Sequence, residues 1–379
     1  MRFAIIDLAN LFARCQHVTK GDAFSKAGMA LHIIFRSLRK LHREMQVDHF
    51  VFTCEGRSWR YDVFPEYKAR RKLERAAKSA KEKEEDEVFY EVHNNLITFL
   101  AEKTRCTVLQ SEGVEGDDFV ARWIQLHPHD EHIILSGDSD FVQLLASNVT
   151  LVDGVQERII TTSGVKTFAG EDCVFNVDPA SGKIKVPGTI EECRKKHDRT
   201  EKDKAKRTGS TPAPFAWTPP SPEDAWWRRA LFVKIIRGDT GDGIFSAYPG
   251  VRYEGSSKKT GIREAWEDRD TGGYNWNNLM LARWSKLMGK DADGNAIARD
   301  VQVRDEYRFN EGLIDLTKQP EEVKVLMDTV IIQAAQKEPT GNVGFAFIKF
   351  CAANDLPKLQ GEAADHAAYL NAPYAQEGR

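Results

Sequence analysis

The sequence predicts an α/β protein with a mostly parallel central sheet flanked by helices. Short apolar runs with the length of buried strands recur along the first half of the chain, as in FAIIDL (3–8) and HIILS (132–136). Segments with apolar residues at helical spacing separate these runs, as at 29–41 and 116–126. Strands that alternate with helices form parallel sheets, and ligands bind outside the carboxyl ends of such strands.

The elements follow one another without an internal repeat. Strands are predicted at 3–8, 49–54, 106–110 and 132–136, followed by a closing hairpin at 149–153 and 157–161. Helices are predicted at 29–41, 116–126 and 141–146. From residue 223, where EDAWWRRALFVKIIRGD begins, the rest of the chain is expected to be mainly helical.

Composition narrows the function only slightly. The chain has 379 residues, a net charge of −3 and 29% charged residues, a balance that argues neither for nor against an anionic partner. Its six cysteines include no CxxC pair, which predicts free thiols in a reducing compartment and disfavours a zinc site. No signal-like stretch follows Met1 and no apolar run reaches membrane-spanning length, so we expect a cytoplasmic protein.

Two segments interrupt the alternation of strands and helices. Residues 57–83 contain ten Lys or Arg against four Asp or Glu, a local excess of positive charge. Residues 188–222 are rich in charge, proline and small side chains, which predicts a mobile insertion rather than a folded element.

Acidic residues gather where the predicted strands end. Asp7 ends the first strand, Glu55 follows the second, and Asp138 and Asp140 follow the strand at 132–136. Other acids begin or end helices: Glu115, Asp117, Asp118, Asp239 and Asp242. Taken singly, Asp117 and Asp118 could cap a helix, and the last two could form turns beside glycines.

As a group these acids indicate a metal site. Like charges that converge on one edge of a sheet repel each other unless cations neutralise them. Ligands that are all oxygen favour Mg²⁺ or Mn²⁺ over zinc, and this many carboxylates predict two ions. Because no histidine stands near these motifs, we expect a metal-bound hydroxide as the nucleophile in phosphodiester hydrolysis.

Five motifs occur in a fixed order along the chain: IIDLAN, RYDVFPEYKARR, GVEGDDF, SGDSDF and IIRGDTGDG. In this order they resemble the 5′-nuclease superfamily of flap endonucleases, phage 5′-exonucleases and phage RNase H. The resemblance extends from residue 3 to about residue 255. It implies a two-metal phosphodiesterase that acts at 5′ ends, flaps or RNA primers in DNA replication or repair. It also implies a helical arch at about 60–100 and a C-terminal helical region that binds duplex.

The resemblance assigns roles residue by residue. The metal ligands it implies are Asp7, Glu55, Glu115, Asp117, Asp118, Asp138, Asp140, Asp239 and Asp242. Glu55 stands where the family usually has an aspartate, which leaves two alternatives open for it, a direct contact with metal and a contact through water. Residues implied near the scissile phosphate are Tyr67, Lys68 and Arg71, although a solvated basic helix would also explain them. Nucleic-acid contacts are expected from Arg60, Arg70, Lys72, Lys258 and Lys259.

The expected domain boundaries follow from this assignment. The expected domains are a nuclease core with arch at 1–165, a partly flexible insertion at 166–225, a helix–loop–helix region at 226–320, and a C-terminal cap and tail at 321–379. The glycine-rich loop after residue 243 implies duplex binding and a possible monovalent cation. Trp226 and Trp227 could stack on bases, but we expect them in the helix core.

Two other functions compete with that of a nuclease. A nucleic-acid-binding protein that keeps the fold without catalysis is favoured only by the Glu55 departure. A haloacid-dehalogenase-like phosphohydrolase needs an aspartate two residues after Asp7, where Ala9 stands. We therefore expect a monomeric enzyme, host-cytoplasmic if phage-encoded, that acts on DNA with a 5′ flap or end, with RNA–DNA hybrid and replication proteins as further possible partners and no membrane.

Overall fold

The computed structural model describes residues 1–18, 22–290, 295–335 and 341–374, without the side chains of 15–18 and 289–290. The strands are β1 (Arg2–Asp7), β2 (His49–Thr53), β3 (Thr107–Leu109), β4 (Glu131–Leu135), β5 (Val149–Asp153), β6 (Arg158–Thr161), β7 (Gly164–Thr167), β8 (Cys173–Val177), β9 (Ile184–Thr189), β10 (Arg283–Lys290) and β11 (Ala296–Gln302). The helices are α1 (Leu8–Val18), α2 (Ala23–Glu44), α3 (Arg60–Val63), α4 (Ala69–Ala76), α5 (Ala80–Lys103), α6 (Gly116–Leu126), α7 (Ile190–Thr208), α8 (Trp226–Arg237), α9 (Ile262–Glu267), α10 (Tyr274–Leu281), α11 (Val303–Ile314), α12 (Glu321–Ala335), α13 (Val343–Ala353), α14 (Pro357–Gly361) and α15 (Ala363–Leu370). Short 3₁₀ helices cover Ser139–Leu144 and Pro222–Asp224.

The chain divides into two compact units. The first consists of Met1–Val63, Leu73–Thr161 and Pro320–Arg379. The second consists of Phe64–Lys72 and Thr162–Gln319.

A mostly parallel sheet forms the centre of the first unit. Its strands lie in the order β3–β2–β1–β4–β5–β6, parallel from β3 to β5, with β6 antiparallel to β5. Strands β1, β2 and β4 are buried over nearly their whole length, as expected for central strands of a parallel sheet. The predicted fold class is therefore confirmed.

The C-terminal helices complete the core of this unit. The ring of Phe35 on α2 lies 5.0 Å from that of Phe347 on α13. On α15, Tyr369 and Leu370 are fully buried, and the carbonyl of Leu370 accepts a hydrogen bond from the amide of Arg105 at 2.8 Å. Helix α15 therefore packs into the core of this unit, while 375–379 lie outside the described residues.

The second unit combines helices with two antiparallel hairpins, β8–β9 and β10–β11. The β10–β11 hairpin departs from the mainly helical expectation for this half. Its strands pair antiparallel from Arg283 opposite Gln302 to Lys290 opposite Ala296. Trp226 is fully buried, and its indole N–H donates to the carbonyl of Thr162 at 2.9 Å, so the core assignment is the right one.

The insertion at 188–222 is also folded, contrary to expectation. Its first part forms α7, which Thr189 and Glu192 begin with reciprocal hydrogen bonds between side chain and backbone. The proline-rich part then returns along the helix, where the Phe215 ring lies 5.6 Å from that of His197. The helix forms despite its high charge, because Thr189 caps its first turn and Phe215 packs against one side of it at His197.

The thiols of the described cysteines and the hydropathy of the described helices bear on the predictions from composition. Cys54, Cys106, Cys173, Cys193 and Cys351 are free thiols, and the side chain of Cys15 lies outside the described residues. Within the described part of the chain, no helix is long and apolar enough to cross a bilayer.

Candidate metal centre

The acids that follow β1, β2 and β4 lie at one edge of the sheet. Strand β1 stands between the other two, with Asp7 opposite Thr53 of β2 and Ile6 opposite Leu135 of β4. Because all three strands are parallel, their carboxyl ends meet at the same edge. The structure therefore brings Asp7 and the acids after β2 and β4 to one side of the sheet.

Asp7 is nearly buried at this edge. Its carboxylate accepts hydrogen bonds from the hydroxyl of Ser136 at 2.8 Å and from the amide of Asn10 at 3.1 Å. Burial nevertheless raises the pKa of Asp7 to about 6, and the charge of Asp138 contributes in the same direction. The ionised form is therefore costly in the absence of a cation.

Asp138 and Asp140 begin the 3₁₀ helix that follows β4. The Asp138 carboxylate accepts the amide of Asp140 at 2.9 Å, and the Asp138 amide donates to the Ser136 hydroxyl at 3.0 Å. Both side chains are half-buried, so they face the edge without being sealed from solvent. Ser136 thus fixes two of the acids, a role that the sequence analysis missed although it directly precedes the SGDSDF glycine.

The third group of acids opens α6. One carboxylate oxygen from each of Glu115, Asp117 and Asp118 lies within 4.8 Å of the others. Two of these three acids already have a partner, because the buried guanidinium of Arg60 contacts Glu115 at 2.7 Å and Asp118 at 2.9 Å. The hydroxyl of Ser58 donates to Glu115 at 2.6 Å.

Arg60 and Asp118 therefore differ from their predicted roles. Arg60 is 1% exposed, so it cannot contact nucleic acid, and the expectation for it is wrong. Asp118 is fully buried, and its two oxygens accept from Arg60 and from the indole N–H of Trp59. Both residues instead hold the start of α6 against the chain after β2, a function that no charge pattern in the sequence indicated.

Asp117 is the member of this group that faces the edge. It is half-buried, and the strongest effect on its pKa is burial, which raises it well above the ordinary value. The charges of Asp118, Glu115 and Glu55 raise it further, whereas Arg60 lowers it. The exposed Glu55 is therefore within electrostatic reach of Asp117.

These acids fit a hard divalent cation. Their donors are oxygens, and both Asp7 and Asp117 keep raised pKa values despite the hydrogen bonds or the arginine beside them. A divalent ion would offset the cost that burial and neighbouring negative charge impose on the ionised carboxylates. The residues that could hold it at this edge are Asp7, Glu55, Asp117, Asp138 and Asp140.

The predicted ligands Asp239 and Asp242 lie in the second unit, in the turn after α8. Asp239 forms a buried ion pair with Lys234 at 2.8 Å, and its carboxylate accepts the amide of Gly241 at 2.8 Å. Burial alone would raise the pKa of Asp239, but the charge and hydrogen bond of Lys234, together with the amide of Gly241, lower the pKa below its ordinary value. This matches the turn-forming role that the flanking glycines suggested.

Asp242 contacts the three residues that were predicted near the scissile phosphate. Arg71 contacts its carboxylate at 2.9 Å, and the Tyr67 hydroxyl donates to it at 3.4 Å. The amide of Lys68, which has a φ of 52°, donates to the carbonyl of Asp242 at 2.9 Å. The Lys68 ammonium lies 4.9 Å from the centre of the Tyr67 ring.

Tyr67 is 2% exposed, so it positions its neighbours rather than contacting a substrate as predicted. Lys68 is half-buried and Arg71 exposed. Arg70 and Lys72, expected to contact nucleic acid, are exposed as well. The second unit therefore presents cations beside Asp242.

The other two lysines expected to contact nucleic acid line a separate hollow of the second unit. Lys258 and Lys259 are exposed at a cavity of about 570 Å³ that also includes Pro249 and Gly250. The loop is held by Glu264, whose carboxylate accepts the amide of Gly255 at 2.8 Å and that of Gly261 at 3.0 Å. Contacts within the second unit therefore hold the glycine-rich loop in place.

Comparison with known families supports the motif assignment. Residues 2–170 match the family described as 5′-3′ exonuclease, N-terminal resolvase-like domain. This part of the chain is similar to that domain family. The resemblance stated from IIDLAN, GVEGDDF and SGDSDF is thereby confirmed, and the acids of the sheet edge all lie within the matched residues.

Two solved structures from bacteriophage T5 are similar to the chain. One is the 5′-exonuclease with bound zinc, 17% identical over 97% of this chain and 100% of that one, with a TM-score of 0.47. The other is a flap endonuclease variant in a pseudo-enzyme–product complex with DNA and metal ions, with the same identity and coverage and a TM-score of 0.45.

The two kinds of buried acid predict opposite effects on stability. Asp7→Asn should stabilise the metal-free protein by about 2 kcal/mol at pH 7.5, because it removes a carboxylate whose pKa is raised on folding. Asp118→Asn should destabilise it by about 3 kcal/mol, because it leaves the guanidinium of Arg60 poorly paired. Urea unfolding in EDTA measures both.

The pH dependence of stability distinguishes the effect of a raised carboxyl pKa at Asp7 from the effect of a lost ion pair at Asp118. Folding raises the pKa of Asp7 from 3.8 to about 6, so the stability that depends on this group is fully present below pH 3.8 and is lost as the pH rises through 6. The advantage of Asp7→Asn should therefore shrink as the pH falls from 6 to 4. An Asp7→Asn variant less stable than the parent at pH 7.5 would contradict the assignment.

Proposed function

We propose that this chain is a divalent-metal-dependent nuclease that hydrolyses phosphodiester bonds at the 5′ ends or flaps of DNA. The observation that supports it best is the group of acids at the carboxyl edge of the sheet, within the residues that match the 5′-3′ exonuclease domain, where burial first and neighbouring carboxylates second raise the pKa values of Asp7 and Asp117. Such an edge suits the binding of cations and, through them, of phosphate.

The proposed cofactor is a pair of Mg²⁺ or Mn²⁺ ions. Asp7, Glu55, Asp117, Asp138 and Asp140 would hold them. Bound ions of this kind activate a water for attack on phosphorus and stabilise the leaving oxygen.

The protein's own contribution is to orient the acids and to pair two of them, so that the others are left for a cation. Ser136 donates to Asp7 and accepts from the amide of Asp138, so it sets the spacing between the acids after β1 and β4. Arg60 forms ion pairs with both Glu115 and Asp118, and so leaves Asp117 as the acid of α6 that is available to a cation. Fixed ligands bind metal without a further ordering cost.

Lys68 and Arg71 would bind the scissile phosphate in this proposal. Cations placed where negative charge develops stabilise a transition state more than the ground state. Tyr67 supports both by filling the space beneath Lys68 and donating to Asp242. Arg70, Lys72, Lys258 and Lys259 would add phosphate contacts along the substrate.

The finer features of the function belong to the same proposal. Activity on RNA–DNA hybrid, a role in DNA replication, action as a monomer in the cytoplasm and a monovalent cation at the glycine-rich loop follow from the motif resemblance. The alternative of a binding protein without catalysis is tested by the next experiment, because the two functions differ only in turnover.

The metal ligands should be essential for turnover but not for binding. In Asp138→Asn with Asp140→Asn, cleavage of a 5′-flap substrate in Mg²⁺ should fall by at least about a hundredfold, because the cation loses two ligands. Affinity for the same flap in EDTA should be kept, because the change removes negative charge near a polyanion. Gel-based cleavage and fluorescence anisotropy measure the two effects.

The matched control carries the same charge change on an exposed helix face. Glu84→Gln with Glu87→Gln on α5 should leave the cleavage rate at the parent value. Parent-level cleavage in EDTA, or a full rate in the Asp138 and Asp140 variant, would contradict metal catalysis at this edge.

Lys68 and Arg71 should act on rate rather than on affinity alone. Lys68→Ala with Arg71→Ala should lower the single-turnover rate at saturating protein by about a hundredfold, because the lost contacts form in the transition state. Arg75→Ala with Lys81→Ala, two exposed cations nearby in sequence, should weaken binding but keep the saturated rate. Equal saturated rates for both variants would show that Lys68 and Arg71 belong to a solvated basic face.

A further inference from the structure

Helix α7, in the insertion that no predicted site uses, has two faces of different character. The inner face is the row Cys193, His197, Glu201 and Ala205, whose members are half-buried. The returning segment covers this row: Phe215 packs against His197, and the carboxylate of Glu201 accepts the amide of Ala213 at 3.1 Å. The orientation of α7 on its own hairpin is therefore set by contacts.

The outer face carries a stripe of four cations. Lys195, Arg199, Lys202 and Lys206 follow one another at intervals of four, three and four residues, which places them within about 60° of each other around a helix. All four are exposed, the side chains of Lys195 and Lys206 to 74% and 80%. By the same helical geometry this α7 stripe lies about 150° from the centre of the covered row.

The α7 stripe keeps its positive charge. Lys195 pairs with Glu191 at 2.5 Å, and Lys206 lies 4.0 Å from Asp203. Among the residues that the structure describes, Arg199 and Lys202 have no carboxylate partner. The cations at the centre of the stripe are therefore available to an external anion.

We propose that the α7 stripe binds the phosphate backbone of nucleic acid, as a contact surface separate from the arch and the glycine-rich loop. This inference rests on the proposed nuclease function, which supplies the polyanion. From Lys195 to Lys206 the stripe is about 16 Å long, a length over which one strand of B-form duplex presents about five phosphates. The surface therefore fits a regular row of negative charges.

Other anionic partners fit this surface less well. A helix that binds a membrane surface needs an apolar face to insert, and the few apolar side chains of α7 lie in the covered row. The contact with nucleic acid is sequence-independent in this account, because it uses phosphates and no base edges.

The test compares two double variants of equal charge. Arg199→Gln with Lys202→Gln removes two cations from the α7 stripe, and Lys196→Gln with Arg207→Gln removes two exposed cations of α7 outside it. Glutamine keeps helix propensity, so both variants should melt within a degree or two of the parent. Binding of a labelled 5′-flap DNA is followed by anisotropy in EDTA across a range of salt concentrations.

The stripe variant should bind the flap about three- to tenfold more weakly at 100 mM salt, and its slope of log affinity against log salt should fall by one to two. The control variant should keep an affinity within about twofold of the parent. Equal slopes for the stripe variant and the parent, or equal losses in both variants, would overturn the inference while leaving the nuclease function in place. A parent protein that does not bind the flap at any salt concentration would overturn both.

Discussion

The buried guanidinium of Arg60 decides how charge is distributed at the edge of the sheet. It contacts Glu115 at 2.7 Å and Asp118 at 2.9 Å in a place that solvent does not reach. Removing one partner of such a buried pair costs several kcal/mol, so the first turn of α6 and the chain after β2 are held as one piece. With two acids paired in this way, Asp117 is left facing the edge together with Asp7 and Asp138.

The same separation of paired and available charge recurs within the second unit. Asp239 is balanced by the buried Lys234, which fixes the turn after α8. Asp242 instead contacts the exposed Arg71, a partner that solvent and phosphate can both reach. Buried pairs thus set the geometry, and half-buried groups beside them retain the capacity to bind ions. Each unit builds its own site in this manner.

The sequence predicted the sheet and its acidic edge because both follow local rules. Apolar runs specify strands, and acids directly after parallel strands must share an edge. It could not separate Asp118 from Asp117, since only the fold shows which carboxylate meets Arg60 and Trp59. It missed α7 because charge and proline argued for disorder. The capping pattern of Thr189 and Glu192 was readable in the sequence, whereas the contact of Phe215 with His197 is visible only in three dimensions.

The most direct test is a calorimetric titration of the nucleic-acid-free protein with Mn²⁺ at two pH values. The account predicts binding at pH 7.5 that is lost in Asp7→Asn. It also predicts about tenfold weaker binding at pH 5, because Asp7, with a pKa of about 6, must release its proton to bind the ion. No binding at pH 7.5, or an affinity that is the same at both pH values, would contradict a metal centre built on Asp7.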